Sequence, residues 1–178
     1  MNKQDFPLFS KYPSLIYLDN AATTQKPAVM INALEEFYTS KNANVHRGIY
    51  ELSELASAEY EQARNIVAKF INASAQNIVF TSGTTMGLNL LAKYLIEPTL
   101  KAGDLLVISI LEHHSNILPW QEIAQNKGAN LKYIELKDNE LDYESLGDIL
   151  KTNKVKVISL TMMSNVTGLK SDLMRVKD

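Results

Sequence analysis

Apolar positions along this chain follow two rhythms. From Asn77 onward, short β-type runs alternate with helical stretches. Residues 78–81 read as a short strand. Leu88, Leu91, Ala92 and Leu95 then recur at i, i+3, i+4 and i+7, one face of a helix, and Pro98 closes it. The unbroken apolar run 105–110 (LLVISI) predicts a strand covered on both faces. Residues 119–126 predict a helix with Pro in its first turn and Gly128 just past its end. A third strand falls at 131–136, Asp142 caps a helix running to Leu150, a fourth strand covers 155–161, and a helix begins at Ser171. Strands alternating with helices predict a mostly parallel sheet with helices on both faces.

The region ahead of this has another pattern. Two helices are predicted, at 28–40 and 51–72. In the second, Leu52, Leu55, Ala56, Tyr60, Ala63, Val67 and Phe70 share one face. Two irregular polar segments, 17–24 and 42–50, flank the first. The division this implies is 1–72, an N-terminal helical segment with loops, and 73–178, an α/β domain.

Composition narrows the picture. The formal net charge is −2, with Lys and Arg dispersed, so neither a nucleic-acid face nor a polybasic membrane surface is expected. The apolar runs are too short to span a bilayer, and the first residues show no hydrophobic signal region; a cytoplasmic protein is the expectation. The chain has no cysteine, which removes disulfides, thiolate metal sites and thiol nucleophiles. Its three histidines, His46, His113 and His114, show no metal-ligand spacing, and no metal is expected.

Three segments carry candidate chemistry. Gly83-Thr84-Thr85 stands where a strand hands over to a helix. Unpaired N–H groups and the helix dipole can cradle an anion there, and the same threonine can equally be a plain helix cap. No nucleotide-binding fingerprint accompanies it. The segment 112–116 (EHHSN) follows the second strand, where ligands of open α/β sheets bind. An imidazole can stack on a flat ring or move a proton, or these can be two ordinary loop histidines. Asn165, in 164–168 (SNVTG) after the fourth strand, offers both donor and acceptor, or serves only as a turn residue. One ligand could use all three: a phosphate at Thr84 and Thr85, a planar ring at His113, a ring hydroxyl near Asn165. Pyridoxal phosphate has those parts.

These blocks also occur in a familiar order. YLDNAATTQKP (17–27), NVHRGIYELS (44–53), YEQAR (60–64), IVFTSGTTMGLNLLA (78–92), GDLLVIS (103–109), LEHHSNILPWQ (111–121) and SNVTG (164–168) resemble the N-terminal half of class V aminotransferase-type enzymes, most closely the Suf-type (group II) cysteine desulfurases. The resemblance implies the large-domain portion of a fold-type I pyridoxal phosphate enzyme, a homodimer that converts L-cysteine to L-alanine and an enzyme persulfide. A sulfur-acceptor protein would then carry that sulfur into iron–sulfur cluster assembly. It further implies that Gly83, Thr84 and Thr85 hold the cofactor phosphate. His113 stacks on the ring and assists proton transfer. Asn165 approaches the ring hydroxyl and the substrate carboxylate, and Asn20, Ala21, Ala22 and His46 lie around the substrate.

The match has departures. Met86 stands where relatives commonly carry Glu, and Thr167 and Leu169 depart from the usual SNVLGT. The family also continues beyond this stretch, with a lysine that carries the cofactor, a persulfide cysteine and a carboxylate-binding arginine. The chain alone is therefore expected to be inactive on L-cysteine. Its strands would be 1 to 4 of a family order 3-2-4-5-6-7-1, which leaves strand 1 without its neighbours and strand 4 with an open edge; poor stability of the isolated chain is the corollary. Alternative readings are another class V enzyme, such as a selenocysteine lyase or aminotransferase, and a non-catalytic fragment or partner subunit.

Overall fold

The computed structural model describes residues 2–152 and 154–177, and the chain forms two compact units, 1–79 and 80–178.

In the first unit, α1 spans Pro7–Lys11, α2 spans Ala28–Glu36 and α3 spans Glu51–Phe70. Helix α2 widens into a π-helical turn at Phe37–Lys41. Thr39 Oγ1 and Ser40 Oγ bond back to the carbonyls of Glu35 and Glu36 at 2.7 and 2.6 Å. Hydroxyls that compete for helix carbonyls loosen the last turn in this way. The face predicted to be buried on α3 is mostly exposed: of its members only Ala56 is buried, while Leu55 is 50% and Phe70 89% exposed. The buried positions are instead Ser53, Ala56 and Ala68, small residues where the chain packs closest.

The second unit holds α4 (Thr84–Leu90), β1 (Leu105–Ser109), α5 (Leu118–Lys127), β2 (Asn130–Ile134), β3 (Leu136–Lys137), β4 (Glu140–Leu141), α6 (Tyr143–Leu150), β5 (Val155–Ser159) and α7 (Leu173–Lys177). Its sheet is parallel, in the order β2-β1-β5. The central strand β1 is covered on both faces. Leu106 and Ile108 pack with Trp120, Ile123, Ala124, Ala92 and Leu100 on one side. Val107 packs with Ile134, Leu141, Leu146 and Ile149 on the other. Between Leu105 and Leu106 the pairing with β5 shifts: Leu105 faces Val155 but Leu106 faces Val157.

The predicted order of the three central strands is found, and so are the helix caps. Asp142 Oδ1 accepts the Ser145 N–H at 3.0 Å, and Gly128 closes α5 with φ +65°, a left-handed value natural to glycine.

Two expectations need correction. Residues 78–81 form no ladder. Ile78 is extended, with φ −93° and ψ 122°, but the Arg64 guanidinium takes its carbonyl, and no strand among the described residues lies beside it. The run 131–136 also does not continue as one strand. After Ile134 the chain turns, and Leu136 and Lys137 pair antiparallel with Leu141 and Glu140. Asp138 and Asn139 make the turn with φ of 55° and 64°, the pair of left-handed residues that a tight hairpin needs.

Candidate active site

The carboxyl ends of β1 and β5 lead into the loops that bear His113 and Asn165, and the start of α4 bears Gly83, Thr84 and Thr85. Gly83 precedes α4 with φ +153°, a backbone that side chains rarely tolerate. Apart from its own chain neighbours, no atom of the described residues lies within 4 Å of where its Cβ would sit, so the space above it is open. No side chain caps α4 and its first turn holds no acid. Thr84 and Thr85 are exposed there. This is an N-terminal helical turn with its donors uncommitted, which suits an anion. Below it, Ser82 Oγ–H points to Met86 Sδ at 3.3 Å.

Helix α4 packs against the 3₁₀ turn His114–Asn116. His113 caps that turn. Its Nδ1 accepts the Ser115 N–H at 3.1 Å, with the Ser115 hydroxyl 2.9 Å away. A backbone N–H can only donate, so Nδ1 carries the lone pair and the neutral ring keeps its proton on Nε2. The ring is exposed, held at Nδ1 by Ser115 and set edge-to-face with the His114 ring at 6.1 Å.

Under this loop lies a polar network that sequence reasoning did not assign. Glu112 Oε1 accepts from Ser109 Oγ–H at 2.5 Å and from the Thr161 N–H at 2.9 Å, and its Oε2 accepts from Asn116 Nδ2 at 2.6 Å. Asn116 Oδ1 in turn accepts from Trp120 Nε1–H at 2.8 Å and from Ser159 Oγ–H at 2.6 Å. The Trp120 indole N–H can only donate, so it must meet the amide oxygen and the Asn116 orientation is settled. The readable signal was the spacing Glu112, Asn116, Trp120, one helical turn apart each time.

Beyond β5, the loop bearing Asn165 is braced by Ser164. Its N–H donates to the Leu169 carbonyl at 2.9 Å, and its hydroxyl accepts from the Val166 and Thr167 N–H groups at 3.3 and 3.2 Å. Met163 and Lys170 pair as an isolated antiparallel bridge. Asn165 itself is exposed. The second unit thus carries Gly83, Thr84 and Thr85, His113 and Asn165. Helix α4 packs against the turn that follows His113, and Glu112 and Asn116 tie that loop to the end of β5.

The remaining predicted residues belong to the first unit. Asn20, Ala21 and Ala22 form a turn in which the Asp19 carbonyl accepts the Ala22 and Thr23 N–H groups at 3.2 and 3.1 Å. The Tyr17 hydroxyl spans it, donating to the Thr23 carbonyl at 2.6 Å. His46 sits in a left-handed conformation, φ 69°. Its N–H donates to Ser57 Oγ at 2.8 Å, its Nε2 lies 3.3 Å from Glu61 Oε1, and its ring meets Tyr60 edge-on. Its loop is fastened to α3 by Ser53: the Gly48 N–H donates to Ser53 Oγ at 3.1 Å, and Ser53 Oγ–H donates to the Asn44 carbonyl at 2.5 Å.

The second unit is thus a parallel α/β domain with an uncapped α4 start, an exposed, oriented imidazole after β1 and an exposed Asn after β5. The class V aminotransferase model matches residues 16–178, and the chain belongs to that family. It is 43% identical over 171 residues to the cysteine desulfurase SufS of Plasmodium falciparum, covering 93% of this chain and 31% of that protein. To a probable cysteine desulfurase of Synechocystis the identity is 44%, over 93% of this chain and 40% of that one. The apo structure of a cysteine desulfurase from Thermococcus onnurineus NA1 superposes with a TM-score of 0.90 at 38% identity, over 98% of this chain and 42% of that chain. For the cysteine desulfurase CsdA of Escherichia coli the TM-score is 0.84 at 36% identity. The chain therefore spans less than half the length of these relatives. Among the described residues no helix is long and apolar enough to cross a membrane.

Proposed function

We propose that this chain supplies the cofactor-binding loops of a cysteine desulfurase that takes sulfur from L-cysteine, leaves L-alanine and passes the sulfur on as a persulfide. Pyridoxal phosphate is the cofactor that family membership implies. The residues fit it: an uncapped helix start above an open Gly83 suits a dianionic phosphate, an exposed imidazole of fixed orientation suits a ring face, and an exposed amide suits a ring hydroxyl. When bound, pyridoxal phosphate supplies the electron sink for bond breaking at the amino acid.

The chain's own groups would then bind and orient. The Thr84 and Thr85 N–H and hydroxyl groups hold the phosphate. The His113 ring, its Nδ1 occupied by Ser115, presents a face to the pyridine and a proton on Nε2. Asn165 contacts the ring hydroxyl and the substrate carboxylate. Asn20, Ala21, Ala22 and His46 are assigned as substrate contacts. The 178 residues include no cysteine, and none of them is assigned as the carrier of the persulfide. A homodimeric assembly and a sulfur-acceptor partner serving iron–sulfur cluster assembly belong to the same proposal.

The observation that carries the reading is the packing of helix α4, whose first turn is uncapped, against the turn that follows His113. Equilibrium dialysis against pyridoxal phosphate tests it. The Thr84→Ala/Thr85→Ala variant should bind at least about tenfold more weakly, since hydrogen bonds to a charged group contribute about 1.5–3 kcal/mol each. Binding that is absent from the unsubstituted chain, or equal in the variant, refutes the assignment.

A further inference from the structure

We propose that Glu112 is a positioning residue, a three-way clasp that holds the His113 loop and the Asn165 loop in mutual register. The inference rests on the reading of His113 and Asn165 as cofactor-facing groups. Its geometry is independent of any bound molecule.

The Glu112 carboxylate gathers one donor from each of three places: the Ser109 hydroxyl at the end of β1, the Thr161 N–H just past β5, and the Asn116 amide in the turn that follows His113. The directions are fixed by the partners. The Glu112 carboxylate can only accept, so the Ser109 hydroxyl gives it its proton while its oxygen accepts the Leu111 N–H at 3.2 Å. Thr161 offers a backbone N–H, which cannot reverse. Asn116 spends its oxygen on Trp120 and Ser159, so its NH₂ is what faces Glu112. Three donors converge on a group that only accepts, which is the requirement a carboxylate meets and an amide does not. Thr161 is anchored further, its carbonyl accepting the Ser171 hydroxyl at 2.6 Å and its hydroxyl donating to the Met163 carbonyl at 2.9 Å. The pull of Glu112 is therefore transmitted into the base of the Asn165 loop. On its other side Glu112 directly precedes His113, and Asn116 closes the turn that His113 caps, its N–H donating to the His113 carbonyl at 2.7 Å. Glu112 touches no predicted cofactor atom; it acts through the two loops.

Isosteric Glu112→Gln separates this role from simple packing. Whichever way the new amide lies, its NH₂ meets a donor: Asn116 on one side, or Ser109 and Thr161 on the other. Amide hydrogen exchange, measured without cofactor, should quicken about tenfold or more at Thr161 and Ser115, while Leu146 and Ile149 in α6 stay within about twofold. Adding Asn116→Asp gives the Gln amide an acceptor and should restore most of the protection. Unchanged exchange at Thr161 and Ser115, or equal quickening in α6 with no recovery in the double variant, overturns the proposal. Should E112Q not fold, Ser109→Ala removes one donor of the three; quickening confined to Thr161 and Ser115 supports the clasp, and uniform or absent quickening overturns it. A chain that shows this exchange pattern but fails to bind pyridoxal phosphate keeps the clasp and loses the cofactor reading.

Discussion

Gly48→Ala probes the seat of the His46 loop. A Cβ at Gly48 would lie 2.3 Å from Ser53 Oγ, 2.4 Å from Ser53 Cβ and 2.7 Å from Tyr50 Cε1. Tyr50 can swing aside, but Ser53 is fully buried on the first turn of α3, and its Cβ is fixed to the helix. The loop must lift. Overlap of this kind costs about 1–3 kcal/mol. Lifting also breaks the bonds from Gly48 N–H to Ser53 Oγ and from Ser53 Oγ–H to the Asn44 carbonyl, about 1 kcal/mol apiece. The sum is roughly 3–5 kcal/mol. Ser53→Gly deletes the same two bonds and adds the penalty of a helical glycine, about 3 kcal/mol together. The double variant loses no further bonds and is relieved of the clash with Ser53, so it should cost little more than Ser53→Gly alone, short of the sum of the two by nearly the whole Gly48→Ala cost, roughly 3–5 kcal/mol. Urea denaturation followed by helical circular dichroism measures all four proteins. Additive costs, or a Gly48→Ala variant within about 0.5 kcal/mol of the parent, would show that the loop is not seated as described.

Asn116→Ala leaves the Trp120 Nε1–H and Ser159 hydroxyl without acceptors and should cost about 2–4 kcal/mol; fluorescence of Trp120, the chain's only tryptophan, follows the unfolding. Ile123→Ala, at a site 2% exposed in the core, should cost about 2–5 kcal/mol, while Leu118→Ala, 57% exposed on the same helix, should stay within about 0.5 kcal/mol; both are read from urea midpoints. The Lys93 ammonium, 2.8 Å from Glu97, holds the Glu97 carboxyl below its ordinary 4.5, and Glu97 holds Lys93 above its ordinary 10.5. A lowered carboxyl stabilises above its unfolded value and loses that effect as pH falls through the folded one, whereas a raised lysine loses its effect as pH rises. The stability gap between the parent and Glu97→Gln should be flat between these limits and close below about pH 4.5; a gap that widens in acid refutes the pairing.

Much of the second unit was legible because local and tertiary signals agree there. The run at 105–110 was apolar on both faces and became the central strand, Asp142 and Gly128 capped helices as their chemistry directs, and the family resemblance ordered the strands correctly. Failures came where pairing partners decide. Residues 78–81 have strand character, but no neighbour beside them, and Arg64 claims the Ile78 carbonyl. The Asp138-Asn139 turn was hidden because neither residue is glycine. On α3 the apolar stripe was real, yet the contacts went to Ser53, Ala56 and Ala68, and periodicity cannot say what another segment covers. The candidate residues were legible by type: His113 and Asn165 follow β1 and β5, where ligands of an α/β sheet bind, whereas Thr84 and Thr85 open α4 after a segment with no strand partner. What holds them, Glu112 and Asn116, was not, because a loop carboxylate reads as solvated until its donors are placed around it.

The shift in pairing at the start of β5 reaches further than its single residue. Were Lys156 counted in the ladder opposite Leu106, every later side chain of β5 would change sides. The lysine would enter the layer beside Trp120, and Ser159 would turn toward α6 and away from Asn116. One skipped position therefore sets the phase of all that follows it. Deleting Lys156 would straighten the ladder and still leave Val157 opposite Leu106 and Ser159 facing Asn116. An insertion within the Asn165 loop would likewise leave that phase intact, whereas drawing Lys156 into the ladder would invert the strand's inside and outside.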